Sequence, residues 1–138
     1  MRSDLPPIAL SIRQPWAWAI IHAGKNIENR TWATSFRGPV CIHAGKGMTK
    51  GEFSEFVELA RAMNRSGNWP NNAWVPFPNE LPRGGIVGVA EITGCVNRSG
   101  SPWFFGPWGF TLTNVRPVDF IPCKGALGFF GWREDHAL

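Results

Sequence analysis

The chain has 138 residues, 43% of them hydrophobic and 17% charged, and carries a net charge of +4. That length holds one domain around a single core, taken here as residues 1–138, and the charge is too low and the aromatics too many for a disordered chain. No apolar run approaches the roughly 20 residues needed to cross a bilayer. The N-terminus, with Asp4 and two early prolines, lacks a signal peptide's apolar region, so a cytoplasmic protein with no membrane partner is expected.

Ile8 to Ile12 reads as a buried strand. Gln14-Pro15-Trp16 then places a proline where the first turn of a helix tolerates it, and that helix runs to about Ala23. Trp16, Ile20 and Ala23 fall on one stripe, with Ala17 and Ile21 beside it. Gly24 reads as the residue in left-handed geometry that ends the helix, a turn that would hold Lys25 at a fixed place beside the next strand. In the extended segment Lys25-Asn26-Ile27-Glu28-Asn29-Arg30, alternation puts Asn26, Glu28, Arg30 and Trp32 on one face, and Lys25, Ile27, Asn29 and Thr31 on the other. A carboxylate and a guanidinium two residues apart on one face form a constellation that few structural strands need.

Gly38-Pro39 opens the next strand, Val40 to Ala44. Thr49-Lys50-Gly51-Glu52 is a capping-box pattern, and behind it Phe53, Phe56, Val57, Ala60 and Met63 recur at helical spacing as a core stripe. Gly67 to Arg83 is a long loop of proline, asparagine and aromatic residues, of the length that tends to be functional. Gly84 to Val96 reads as a central strand, apolar on both faces except for Glu91. Asn97 to Pro107 is a second long loop, Trp108 to Val115 a strand, and Pro117 to Trp132 another short strand followed by a glycine-broken aromatic run. Five or six strands with two or three flanking helices predict an α+β domain built on a small, twisted β-barrel.

The charge is unevenly spread. Residues 1–50 carry seven basic side chains against Asp4 and Glu28, whereas the remainder carries seven basic against eight acidic. A basic excess in the motif-bearing third suits a polyanion, because Lys and Arg displace condensed counterions from phosphates. A merely soluble surface is the plainer alternative. The cysteines, Cys41, Cys95 and Cys123, are odd in number and lack Cys-x-x-Cys spacing, which argues for reduced thiols and against a structural metal site. Neither a metal nor a cofactor is expected.

Glu91 interrupts an apolar strand, so burial would demand a compensating cation, for which Lys25 and Arg30 are available, or a raised pKa. A buried ion pair that only fixes the barrel is the structural alternative. Glu28 and Arg30 could equally form a surface ion pair of little worth. Lys25 is either a solvated post-helix lysine or, in an apolar pocket, an anchor for a carbonyl or phosphate. Gly45-Lys46-Gly47 is no Walker loop, since Val40 and Gly47 stand where a glycine and a Ser or Thr are required. Even so, Lys46 and Lys50 lie at a strand exit and a helix start that favour an anion. Of eight tryptophans, Trp16, Trp32 and Trp132 read as core. Trp69, Trp74 and Trp103 sit in the long loops, where they either lid the core or stack on unpaired bases. No catalytic triad is legible in His22, His43 or His136.

The segments Leu10 to Ala17, Gly24 to Trp32, Arg37-Gly38-Pro39 with Ile42-His43-Ala44, Gly85 to Gly88 and Gly125 to Gly128 resemble an ASCH domain over roughly residues 8–132. The resemblance implies a PUA-like β-barrel with a cleft suited to RNA or a nucleotide, and places the family motif Gly-x-Lys-x-x-Glu-x-Arg in that cleft. Lys25, Glu28 and Arg30 match it, while Ala23 replaces the first glycine. Some small members are amidohydrolases that remove acetyl from cytidine with a lysine, a threonine and a glutamate. By position this chain supplies Lys25 and Glu91, with Glu28 where the threonine would be. Others resemble ribonucleases acting on single strands.

Single-stranded RNA or a nucleotide is therefore the expected partner, ahead of DNA. Arg13, Arg37, Lys46 and Lys50 would contact phosphates and Trp74 and Trp103 would stack on bases, while Lys25, Glu28, Arg30 and Glu91 would line a pocket that reads a base edge. The alternative is a metal-independent hydrolase, acting on RNA or acetylated cytidine, with Lys25, Glu28 and Glu91 as its catalytic residues. A protein-interaction module is the third reading.

Overall fold

The computed structural model describes residues 4–70 and 74–135. Its elements follow the predicted order. They are β1 (Ile8–Ile12), α1 (Trp16–His22), β2 (Ile27–Arg30), β3 (Gly38–Ala44), α2 (Lys50–Arg65), β4 (Gly85–Val96), β5 (Trp108–Pro122), β6 (Phe129–Gly131) and a four-residue α3 (Trp132–Asp135). The strands form one sheet in the order β2-β5-β4-β3-β1-β6, curled into a half-barrel, so the α+β small-barrel expectation is correct. Neighbours are antiparallel except β1 and β3, which run parallel from Ala9 opposite Cys41 to Ile12 opposite Ala44. A parallel pair needs a crossover, and α1 with β2 supplies it. No helix among the described residues is long and apolar enough to cross a membrane.

Local chemistry explains where α1 starts and stops. The Gln14 side chain is buried; its Oε1 accepts the Trp18 N–H at 2.9 Å and its Nε2 donates to the Pro82 carbonyl at 2.9 Å, so one side chain serves the helix start and ties it to the loop before β4. At the other end Gly24 takes φ +74°, the left-handed geometry expected of it, and the Lys25 N–H donates back to the Ala19 carbonyl. The capping box of α2 is complete: Thr49 Oγ1 accepts from the Glu52 N–H at 3.0 Å, and Glu52 Oε1 accepts from the Thr49 N–H at 2.9 Å. Phe56, Ala60 and Met63 form the buried stripe of that helix.

One core cluster fills the inside of the curl with Leu10, Ile12, Val40, Ile42, Ile92 and Phe110. A second, around Ile86, Val89, Ile121 and Trp132, lies on the other face. A third joins α1 and α2 through Ala19, Ile27, Phe56 and Trp103.

Strands β2 and β6 are the two sheet edges, and side chains bring them together without a hydrogen-bonded ladder. Arg30 of β2 donates from Nη2 to the Ser11 carbonyl of β1 at 2.5 Å. Trp32, just past β2, meets Phe129 of β6 edge-on at 5.9 Å, and Phe110 stacks on Phe129 at 6.1 Å. The motif strand therefore closes the curl, and its polar residues stand where the closure leaves an opening.

β5 is longer than the sequence suggested. It runs through Pro117 as one strand of 15 residues, with register shifts against β4. Only Trp108 to Thr111 pair with β2, so Pro117 lies where one edge of β5 has no strand beside it among the described residues, the kind of position a strand proline takes.

Candidate functional site

A cleft of about 610 Å³ lies between α2, the 101–107 loop and β2, lined among others by Trp16, Lys25, Glu28, Asn29, Leu59 and Phe105. It continues through Trp16, Glu28 and Asn29 into a hollow of about 550 Å³ that also reaches Arg13, Arg30, Trp32 and Lys46. Both volumes are in the range of small-molecule sites.

The floor of the cleft is an ionic triad. Lys25 is 3% exposed and Glu28 8%, so both charges are largely removed from water. The Lys25 ammonium donates to Glu28 Oε1 at 3.0 Å and to the Ile27 carbonyl at 2.5 Å. Arg30 donates from Nε to Glu28 Oε2 at 3.2 Å, and its Cζ lies 5.9 Å from the Trp32 ring centre. Glu28 thus stands between two cations, which offsets the cost of burying each charge. Donor and acceptor both have capacity left: an ammonium carries three N–H groups and a carboxylate about four lone-pair sites. Lys25 can therefore donate, and Glu28 accept, one more bond toward the cleft.

Asn29 is the positioning residue that sequence reasoning missed. Its Nδ2 donates to the Trp103 carbonyl at 3.0 Å, and its Oδ1 accepts from the Phe105 and Gly106 N–H groups at 2.8 and 3.0 Å. Through these bonds β2 pins the loop that presents Phe105, which is 66% exposed at the rim. Trp32, 39% exposed, and Leu127, 99% exposed, stand on the rim of the adjoining hollow.

Arg13 and Lys46, two of the residues read as phosphate contacts, line that hollow, but Arg13 is already engaged. Its Nε and Nη2 donate to the two oxygens of Glu52 at 2.7 and 2.6 Å. The pair raises the Arg13 pKa and, chiefly through that hydrogen bonding, holds the Glu52 carboxyl down at about 2. The Lys46 stem packs on Gly84, where an added Cβ would sit 3.2 Å from its Cε, and Gly84 takes φ +83°. The Lys46 carbonyl also accepts from Arg83 Nη1 at 2.7 Å, so the base of this lysine is fixed.

Five expected contacts are not brought to the cleft. Glu91 is only half-buried, on the face of β4 opposite Ala90 and Ile92, and accepts from Asn114 Nδ2 at 3.0 Å. Its partner is a neutral amide and not Lys25 or Arg30, because Glu91 shares the outward face of β4 with the exposed Thr93 while Ala90 and Ile92 point into the core. Trp103 is 3% exposed and packed with Trp69 at 6.2 Å, so it is core and offers no stacking face. Trp74 is 77% exposed but lines neither the cleft nor the adjoining hollow. Arg37 folds back onto the Thr34 and Phe36 carbonyls. Lys50 is exposed at the start of α2, outside the lining of either hollow.

The family model for the ASCH domain matches residues 10–109, most of the chain, and the chain belongs to that family. It is similar to Activating signal cointegrator 1 of Mus musculus, 32% identical over 90 residues, which is 64% of this chain and 14% of the relative. It is likewise similar to the Homo sapiens protein of that name, 31% identical over 90 residues, covering the same shares. The chain thus corresponds to a small part of these longer proteins.

Proposed function

Taking the chain as an ASCH domain, we propose that it binds single-stranded RNA, with one base entering edge-on between Phe105 and Trp16 to meet Lys25 and Glu28. The observation that carries this reading is the triad itself: a buried donor and a buried acceptor, side by side, both lining an open cleft. A carboxylate accepts from the exocyclic amine of cytosine or adenine, and an adjacent ammonium donates to the ring nitrogen or carbonyl beside it. Exposed aromatic side chains at the rim supply the stacking faces that unpaired bases use. Lys46 meets the backbone, and a phosphate competes with Glu52 for Arg13.

The test is fluorescence anisotropy with a labelled single-stranded RNA of mixed sequence, repeated across salt concentrations. Lys46→Ala lowers affinity and reduces the salt slope by about 0.7, the value for one phosphate contact on a single strand. Phe105→Ala lowers affinity without changing the slope. Affinity unaltered by both substitutions sinks the reading.

A second reading, a metal-independent hydrolase, is favoured by one observation, the Lys25 ammonium 3.0 Å from a carboxylate within a cleft. With Glu91 held elsewhere by Asn114, the reaction would rest on Lys25 and Glu28 alone. Incubation in chelator with the RNA and with acetylated cytidine, with Lys25→Met as control, tests it by product formation.

A further inference from the structure

The cleft does not end at Arg30 and Trp32. Ser11, Gly45, Lys46 and Leu127, which line the hollow beside the triad, also line a third hollow of about 570 Å³ with His43, Cys123 and Lys124. Its floor is tightly built. The His43 ring is buried, with Nε2 2.7 Å from the Cys123 carbonyl. Gly125 lies so close over that ring that an added Cβ would come within 2.6 Å of His43 Cε1.

Charge changes sign along these joined hollows. The end against α2 is lined by Lys25 and by the carboxylates of Glu28, Glu55 and Glu58. The far end is lined by Lys46 and Lys124 and by no carboxylate. A phosphate is repelled by the first end and attracted by the second, whereas a base carrying an amine is suited to the first. The joined hollows thus have a direction, base at the acidic end and backbone toward the basic end. A mononucleotide seated at the triad leaves the Lys124 end empty.

Resting on the RNA-binding reading above, we propose that the Lys46–Lys124 hollow is a phosphodiester subsite for the nucleotides next to the one held at the triad. The ligand is then an oligonucleotide threaded along the cleft and not a free nucleotide. Lys124 carries this inference, since of the three joined hollows it lines the third alone, and it is exposed.

The experiment measures affinity for single-stranded RNAs from two to eight nucleotides long, for the unaltered chain and for Lys124→Glu. Release of about 0.7 counterion into 0.1 M salt makes one phosphate contact worth roughly fivefold in affinity. The unaltered chain should gain at least that factor as the RNA lengthens enough to reach Lys124. Lys124→Glu, with an unchanged melting curve, should lose the gain and show a salt slope shallower by about 0.7. Equal length dependence and equal slope in the two proteins overturn the subsite while leaving the base pocket standing. If no RNA of any length binds the unaltered chain, the RNA-binding reading falls and the subsite falls with it.

Discussion

Glu28→Ala is the most informative single substitution, because Glu28 is the common partner of two cations. Lys25, 3% exposed, would keep the Ile27 carbonyl but lose its counter-charge, while Arg30, whose side chain is 17% exposed, keeps the Ser11 carbonyl and can turn toward water. Breaking a buried pair by removing one partner costs about 3–5 kcal/mol. With one cation able to re-solvate, the lower figure applies. A domain of this size has a total stability of about 7–20 kcal/mol, so a loss of about 3 kcal/mol lowers the melting temperature by roughly 10 °C. Urea unfolding followed by tryptophan fluorescence, with the midpoint and slope fitted separately, reads the loss directly. The double variant Lys25→Met/Glu28→Gln removes both buried charges while keeping the lysine's apolar stem and an amide oxygen for Arg30. It should recover to within about 1 kcal/mol of the unaltered chain, since replacing a buried pair by well-packed neutral groups is often neutral. That folded double variant should also fail to bind RNA, which separates the triad's structural role from its binding role. A loss below about 1 kcal/mol for Glu28→Ala, or a double variant no more stable than the single one, refutes the account of two desolvated charges.

Asn29→Ala removes three hydrogen bonds to the 101–107 loop and should raise proteolysis and amide exchange at Phe105 and Gly106 while β2 stays paired with β5; an unchanged exchange rate there would show the loop is held by other contacts. Glu52→Gln weakens the capping box and releases Arg13, so it should cost about 1 kcal/mol in unfolding experiments and yet tighten RNA binding with a steeper salt slope; weaker binding would contradict the competition assigned to Arg13. Burial pushes the Cys41 thiol from 9.0 to about 11, so the folded state holds its proton where the unfolded chain releases it. Stability should therefore fall as pH rises from about 9 to about 11, by up to roughly 3 kcal/mol, and Cys41→Ala should flatten that fall in urea titrations. Trp103→Ala should destabilise by about 3–5 kcal/mol, whereas Trp74→Ala leaves stability and RNA affinity unaltered.

Much of the fold was legible because its signals are local. The capping box at Thr49, the left-handed Gly24 and the pairing of Glu28 with Arg30 each depend on residues within one turn or one pleat. Lys25 shows where a local rule stops. Alternation assigns it to the face opposite Glu28, but it precedes β2, so its long stem is free to wrap beneath the strand and reach the carboxylate. Glu91 misled because an apolar strand with one acid reads as buried throughout, and nothing in its neighbours tells that one face of the strand is uncovered there. The loop tryptophans misled similarly: Trp103 is drawn under α1 and α2 by contacts far away in sequence. Asn29 was invisible for the same reason, since its partners lie 74 to 77 residues further on. A polar residue in a motif strand on the face away from Glu28 and Arg30 was the available signal, and it marks a tether between strand and loop.

The triad's place in the fold makes binding and barrel closure one event. Arg30 donates to Glu28 from Nε and to the Ser11 carbonyl of β1 from Nη2, so the residue that shapes the pocket also joins the two ends of the curled sheet. Any ligand that draws on the remaining capacity of Glu28 or Lys25 acts on a group whose position depends on that closure. The ligand therefore stabilises the closed sheet by mass action, by about 2.7 kcal/mol at a concentration 100 times its Kd. Arg30→Lys keeps the charge but cannot make both contacts with a rigid fork. It should weaken RNA binding and lower the melting temperature together, and RNA should restore less of that loss than it adds to the unaltered chain. A variant that loses affinity while melting normally would place Arg30 in the pocket alone and uncouple the site from the closure of the sheet.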